Sequence, residues 1–248
     1  MRDDPEHAAR TEVIRQRLAE SGIRPGPEQP CPYLAGRTAR NIVLRYSRPA
    51  PGVYHSLMDL NFRRSGTIVY RPACQHCQQC QALRVPADEF RPNRVQRRCW
   101  RRNQDLNIQV GFLEPSAEKY ELYRRYQQER HDRQLNESWD AFVDFLYRSP
   151  METVEVTLRQ AGQLLAVNIV DAEPQAFSMV YTYFAPHARS RSLGVFNILW
   201  TIDLARRAGA PYVYLGYYIR DCRKMNYKIH FLPCELLAPD GQWQTHAR

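Results

Sequence analysis

The first 103 residues of this 248-residue chain contain no lysine, although they carry 19 arginines. The chain also lacks an uninterrupted apolar run of membrane-spanning length, and its start, MRDDPEHAAR, has no apolar stretch of the kind a secretory leader needs. Internal repeats and low-complexity tracts are missing too, which excludes solenoids and compositionally biased disordered segments. These absences predict a soluble, unsecreted chain with no membrane partner. What is present supports folding: 44% hydrophobic residues, including 15 Tyr and nine Phe, are more than a disordered chain carries. The length allows one large domain or two modest ones.

Charge is unevenly spread. Residues 1–103 set 19 Arg against nine acids, a net of +10, whereas residues 104–248 balance 16 basic against 17 acidic residues. Such asymmetry favours a polyanionic partner, because neutralising phosphates releases counterions. Arginine also binds phosphate through two parallel hydrogen bonds, which a lysine ammonium cannot. Seven cysteines, three of them crowded at Cys74, Cys77 and Cys80, suit a reducing compartment better than a disulfide framework, so a cytoplasmic location is expected.

Hydrophobic spacing predicts a first helix through Val13, Ile14 and Leu18 that ends near Ser21-Gly22. Thr67–Tyr70 and Ala82–Val85 read as strands, and 91–102 as a helix with Pro92 in its first turn. Beyond residue 110 the pattern predicts helices over 118–131 and 139–148, the second capped by Ser138. Strands follow over 153–158, 163–170 and 177–184, then a helix over 193–208 stopped by Gly209, then a strand over 212–215. This order places the chain in the α+β class: a GNAT-like C-terminal acyltransferase domain over 106–248, behind a smaller basic N-terminal domain over 1–105. Fold alone assigns no chemistry.

Four segments carry candidate chemistry. Cys74-x-x-Cys77-x-x-Cys80 offers three soft ligands within seven residues, with Cys31 or His76 as a fourth. Zinc, an iron–sulfur cluster, or plain thiols in a tight turn all fit that spacing. The segment Arg91–Arg102 holds Arg91, Arg94, Arg97, Arg98, Arg101 and Arg102 with no acid among them and Trp100 interleaved. On a helix most of these guanidinium groups reach one phosphate backbone, although a solvated face has the same composition. In Asn61-Phe-Arg-Arg-Ser-Gly66, the adjacent Arg63 and Arg64 suit a carboxylate, which Arg binds as a bidentate fork. Finally, Gly216–Lys228 follows the last strand, where α/β sheets place ligand chemistry. Its tyrosines and lysines offer donors and stacking faces for an adenosine end or an ester carbonyl.

Taken together, NFRRSG, YRPACQHCQQC, the arginine segment, Ser192-Leu193-Gly194-Val195 and LGYYIRDCRKMNYK resemble the arginyl/leucyl-tRNA–protein transferases of the N-degron pathway. The resemblance runs from Cys31 to Trp243, and the short chain is most similar to the bacterial aspartate/glutamate leucyltransferase branch. It implies transfer of leucine from leucyl-tRNA to the N-terminal Asp or Glu of proteins, marking them for degradation. The sister activity with arginyl-tRNA is the alternative. Two positions depart from the resemblance: Cys31 is followed by Pro-Tyr-Leu34 without the second cysteine of the longer eukaryotic enzymes, and Asn61 stands where glycine is expected.

The chemistry so implied is aminolysis of an ester. An α-amine of pKa about 7.7–8.0 attacks an already activated carbonyl, so positioning and oxyanion stabilisation suffice, and no cofactor is required. Tyr217, Tyr218, Lys224, Tyr227 and Lys228 are expected at the donor end and transition state. Arg63 and Arg64, with Arg189 and Arg191, are expected on the acidic acceptor side chain, and the Arg91–Arg102 face on tRNA. A metal, if held, sits on Cys31, Cys74, Cys77 and Cys80. His187, Asp203 and Asp221 are the candidate general bases. Two rivals remain open. An acetyl-CoA-dependent acetyltransferase shares the fold, but the pyrophosphate loop R/Q-x-x-G-x-G/A is broken by Phe196 in Arg191–Phe196. An RNA-binding zinc-knuckle protein would leave the 216–228 motif with nothing to do.

Overall fold

Helix α1 (Pro5–Glu20) begins where the Asp4 side chain accepts a hydrogen bond from the Glu6 N–H and Pro5 occupies the first turn. The computed structural model describes residues 4–131 and 138–247. Ile14 and Leu18 of α1 pack onto a core that includes Tyr54, Leu57 and Met58 of α2 (Val53–Asp59), whereas Val13 stays exposed. His7 ties the two helices together, its Nε2 lying 2.8 Å from Asp59.

Strands β1 (Gln29–Pro30) and β2 (Thr38–Ala39) form a small ribbon. β3 (Asn41–Arg45), β4 (Arg63–Ser65) and β5 (Ile68–Pro72) make a three-stranded antiparallel sheet with β5 in the middle. β6 (Gln81–Pro86) follows the cysteine turn. α3 (Arg94–Arg102) starts later than its composition suggests. Asn93 accepts from the Gln96 N–H and the Gln96 side chain accepts from the Asn93 N–H, and this reciprocal cap leaves Pro92 outside the helix.

The second half follows the expected order: β7 (Asn107–Phe112), α4 (Ala117–His131), α5 (Trp139–Phe142) running into a π-helical turn (Val143–Tyr147), β8 (Thr153–Gln160), β9 (Gln163–Glu173) and β10 (Ala176–Phe184). A 3-10 turn (Pro186–Arg191) leads into α6 (Leu193–Ala208), then β11 (Tyr212–Tyr218), α7 (Arg223–Asn226), a 3-10 turn (Tyr227–His230), β12 (Cys234–Leu237) and β13 (Trp243–His246). The hairpin at Ala161-Gly162 forms because both residues adopt positive φ, 46° and 84°.

One eight-stranded sheet runs in the order β13-β12-β6-β11-β10-β9-β8-β7. Its strands β7 to β10 are an antiparallel meander, and α6 carries the chain across to β11, which lies parallel to β10. This is the α+β, GNAT-like arrangement. The sheet also takes β6 from the N-terminal part, between β11 and β12, so the layers do not divide at one point in the chain. β11 is covered on both faces. Val213 and Leu215 join the main core with α6, while Tyr212 and Tyr214 join the core under α1, α2 and the three-stranded sheet. Among the described residues, no helix is long and apolar enough to cross a membrane.

Candidate active site

The parallel ladder between β10 and β11 is short. It pairs Ala176–Ser178 with Tyr212–Tyr214 and then stops, although both strands run on. Two irregularities part them. β10 slips in register against β9 between Met179 and Tyr181, and β11 slips against β6 between Tyr214 and Tyr217. Gly216, at φ +79°, sits in the second slip, a conformation that side chains rarely adopt. A cavity of about 120 Å³ opens in the gap, lined by Ser178–Val180 on one side and Leu215–Tyr217 on the other. Its wall also includes Tyr33, Tyr54, Arg63, Arg64, Tyr70, Met225 and Lys228, and among the described residues no Asp or Glu lines it.

NFRRSG builds one side of this cavity. Asn61 takes φ 68°, a region asparagine tolerates well, so it serves where the family pattern has glycine. Its side chain also accepts from the Ala82 N–H and donates to the Cys80 carbonyl, both at 2.9 Å, which fixes β6 against this turn. The next two arginines then diverge. Arg64 is fully buried and locked. Its Nε and Nη2 donate to Asp171 at 2.8–3.0 Å, and its Nη1 donates to the Gly66 carbonyl at 2.9 Å. That pair ties β4 to β9 and neutralises the guanidinium, contrary to the expectation of a two-arginine grip. Arg63 is also buried, yet only its Nη1 is engaged, by the carbonyls of Met58 and Phe62. Its Nε and Nη2 have no partner, and its guanidinium lies 5.2 Å from the Tyr214 ring and 5.5 Å from the Tyr217 ring.

The 216–228 motif splits similarly. Tyr217 is buried and donates to the Asn61 carbonyl at 2.9 Å. Lys228 is buried too, donating from Nζ to the Tyr217 carbonyl at 3.0 Å. Burial, reinforced by the charge of Arg63, lowers its pKa to about 7. A β-carbon on Gly216 would stand 3.6 Å from that Nζ. Tyr218 packs against the main core instead, as the alternation of a strand requires. Lys224 and Tyr227 are exposed, outside the cavity wall. Arg189 pairs with Glu129 on α4, and Arg191 with Asp105, so neither joins Arg63. The three candidate bases also stay out of the cavity: His187 is exposed, Asp203 pairs with Arg207, and Asp221 accepts from Gln79.

Cys31, Cys74, Cys77 and Cys80 do converge, lining a neighbouring cavity of about 240 Å³ that shares Tyr33 and Tyr70 with the first. Burial, with the other three thiols nearby, pushes the Cys80 pKa up to about 12. Their sulfurs are not drawn together as one zinc ion requires, where Zn–S bonds of about 2.3 Å put sulfurs about 3.8 Å apart. Among the described residues, the one set of three ligand atoms within 4.8 Å of one another is His7, His55 and Asp59. There Asp59 is already engaged by His7, Arg84 and Tyr214.

On α3, Gln96 and Cys99 face inward, Trp100 packs on Phe196, and the six arginines from Arg91 to Arg102 are exposed. Arg91, Arg97 and Arg102 are steadied by the carbonyls of Asp88, Pro92 and Ser190. Phe196 is buried beside Trp100, in the position where a CoA loop needs glycine or alanine. Sequence reasoning gave no role to Tyr33, Tyr54 or Tyr70, although Tyr33 follows Cys31 by two residues and Tyr70 opens YRPACQHCQQC.

The profile for the N terminus of arginine-tRNA-protein transferase matches residues 29–98, and that for its C terminus matches residues 118–238. The aspartate/glutamate leucyltransferase of Chromobacterium violaceum is 43% identical over 87% of this chain and 90% of its own. The one from Nitrosococcus oceani is 43% identical over 88% and 92%. Among solved structures, FemX aligns with 88% of this chain and 69% of its own at 10% identity and a TM-score of 0.47. The chain belongs to the arginine-tRNA-protein transferase family.

Proposed function

We propose that the protein transfers leucine from leucyl-tRNA to the N-terminal Asp or Glu of an acceptor protein, in the cytoplasm. The observation that carries this reading beyond family membership is the acid-free cavity holding a buried arginine with two unpartnered nitrogens, Nε and Nη2. A buried donor left unpaired costs about 1–3 kcal/mol, a cost that an acidic side chain docking there removes. The likeness to aspartate/glutamate leucyltransferases along most of the chain supports the same pairing of donor and acceptor.

The donor ester is already activated, so the residues have to bind, orient and exclude water. Arg63 holds the acceptor carboxylate. The gap between β10 and β11 takes the amine and the ester, and the exposed α3 arginines hold tRNA phosphates. Cys31, Cys74, Cys77 and Cys80 are a fitting donor set for a metal group that would brace the turn before β6. A zinc ion and an iron–sulfur cluster both take thiolate donors. Metal analysis of anaerobically purified protein against Cys77→Ser tests that.

The function is tested by incubating the protein with an Asp-initiated peptide, total tRNA, synthetases, ATP and amino acids, then weighing the peptide. A leucine increment is expected. An arginine increment reassigns the donor, and acetylation from acetyl-CoA with no amino-acid increment overturns the reading.

A further inference from the structure

We propose that Lys228 is the catalytic base of the transfer, taking the proton from the acceptor's α-amine while Arg63 holds that acceptor's carboxylate. This rests on the transferase reading above. Among the described residues, none other than Lys228 combines a basic nitrogen with a place in the cavity wall and a neutral form at cellular pH, because Arg63 and Arg64 stay charged and no His, Asp or Glu lines it. The Lys228 ammonium nitrogen is fixed at the wall: one N–H is donated to the Tyr217 carbonyl at 3.0 Å, and the Met225 sulfur lies at 3.7 Å. In its neutral form the nitrogen lone pair is left to accept.

The groups around Lys228 set its charge. Arg63 on β4 repels the ammonium, Arg64 is neutralised by Asp171, and the Cys222 thiol lies on the turn before α7. Tyr54 and Tyr217 are buried and Tyr70 is half-buried, and desolvation raises the pKa of all three phenols, so none of them is an anion that would hold the lysine protonated. The charges then balance only with an acidic acceptor. Its carboxylate neutralises Arg63, so the proton taken from the attacking amine leaves Lys228 as the single uncompensated cation in the cavity. A neutral acceptor would leave two.

In the step itself, the amine nitrogen bonds to the ester carbonyl carbon and its proton passes to Lys228. The carbon–oxygen bond to the ribose then breaks, and Lys228 returns the proton to the departing ribose oxygen. Amide and free tRNA result, with Lys228 neutral again. A positioned base is worth about 10²–10⁴-fold.

Two measurements test the proposal on the full-length protein. The chain has three lysines, Lys119, Lys224 and Lys228, so amine labelling read by mass spectrometry follows each separately. Lys228 is expected to react in its neutral form near pH 7 once a small reagent reaches the cavity. In the second, Lys228→Ala is expected to lower single-turnover transfer to an Asp-initiated peptide at least 100-fold. Small primary amines added to that variant should restore peptide product, faster with increasing amine basicity; a merely structural lysine gives no such slope. If Lys228→Ala keeps within threefold of the parent rate, or rescue ignores amine basicity, the proposal fails while the transferase reading stands. A parent protein that transfers nothing to any peptide overturns both.

Discussion

Replacing Arg64 with methionine should cost stability, and replacing Arg63 should cost specificity. Arg64 and Asp171 have no solvent-exposed side-chain surface, and three contacts of 2.8–3.0 Å join them. Without Arg64, Asp171 keeps only the Thr153 hydroxyl at 2.7 Å, an uncompensated charge in the interior. Breaking a buried pair from one side costs about 3–5 kcal/mol, a fifth or more of the roughly 5–15 kcal/mol of a typical domain. With an m-value of about 3 kcal/mol/M, the urea midpoint should fall by roughly 1–1.7 M. A double change, Arg64→Met with Asp171→Leu, should recover much of that loss, since replacing both charges removes the stranded one. Arg63→Met gives up two bonds to carbonyls but also removes two nitrogens that had no partner, so its stability should stay within about 2 kcal/mol of the parent. Its transfer to Asp-initiated peptides should nevertheless drop at least 100-fold. The reasoning is refuted if Arg64→Met unfolds at the parent's urea concentration while losing preference for acidic acceptors.

Three further outcomes follow from the geometry. Gly216→Ala forces a side chain into φ +79° and places a β-carbon 3.6 Å from the Lys228 nitrogen. It should cost about 1–2 kcal/mol in urea unfolding and lower the turnover more than the affinity for peptide. Lys228, at about 7 in the folded chain against 10.5 when free, makes the unfolded chain bind the extra proton between those values. Stability therefore rises with pH across that window and is lost as pH falls towards 7, by up to about 5 kcal/mol in all. Lys228→Met should flatten this, so the gap in urea midpoint between parent and variant must change from pH 7 to pH 8.5, with the parent gaining; a constant gap contradicts the burial argument. On α3, Arg98→Gln and Arg101→Gln should each reduce the slope of log affinity for tRNA against log salt by about 1, with no change in peptide affinity.

Most elements were legible in the sequence because their signals are local. The helix over 193–208 has its periodicity and its Gly209 stop within one stretch, and it forms as read. The strands over 153–184 likewise carry their own alternation and a two-residue turn. Elements without such signals escaped: β3, β4 and β7 are short or irregularly patterned, and β12 and β13 exist only by pairing with β6 and with each other. Pro92 looks like a first-turn residue in the sequence because the reciprocal cap at Asn93 and Gln96 shows only in the side-chain geometry.

The sequence by itself determined that basic charge is concentrated in one part of the chain and that α3 presents it, and it marked NFRRSG and GYYIRDCRKMNYK as candidate segments. It could not tell Arg63 from Arg64, or Lys228 from Lys224. Those pairs are chemically alike and close along the chain, so composition and spacing treat them equally. What separates them is distant: Asp171, 107 residues further on, captures Arg64, and the slip in β11 at Gly216 opens the cavity that Arg63 and Lys228 share. Burial and partner choice are properties of strands brought together across the sheet, and only the tertiary structure decides them.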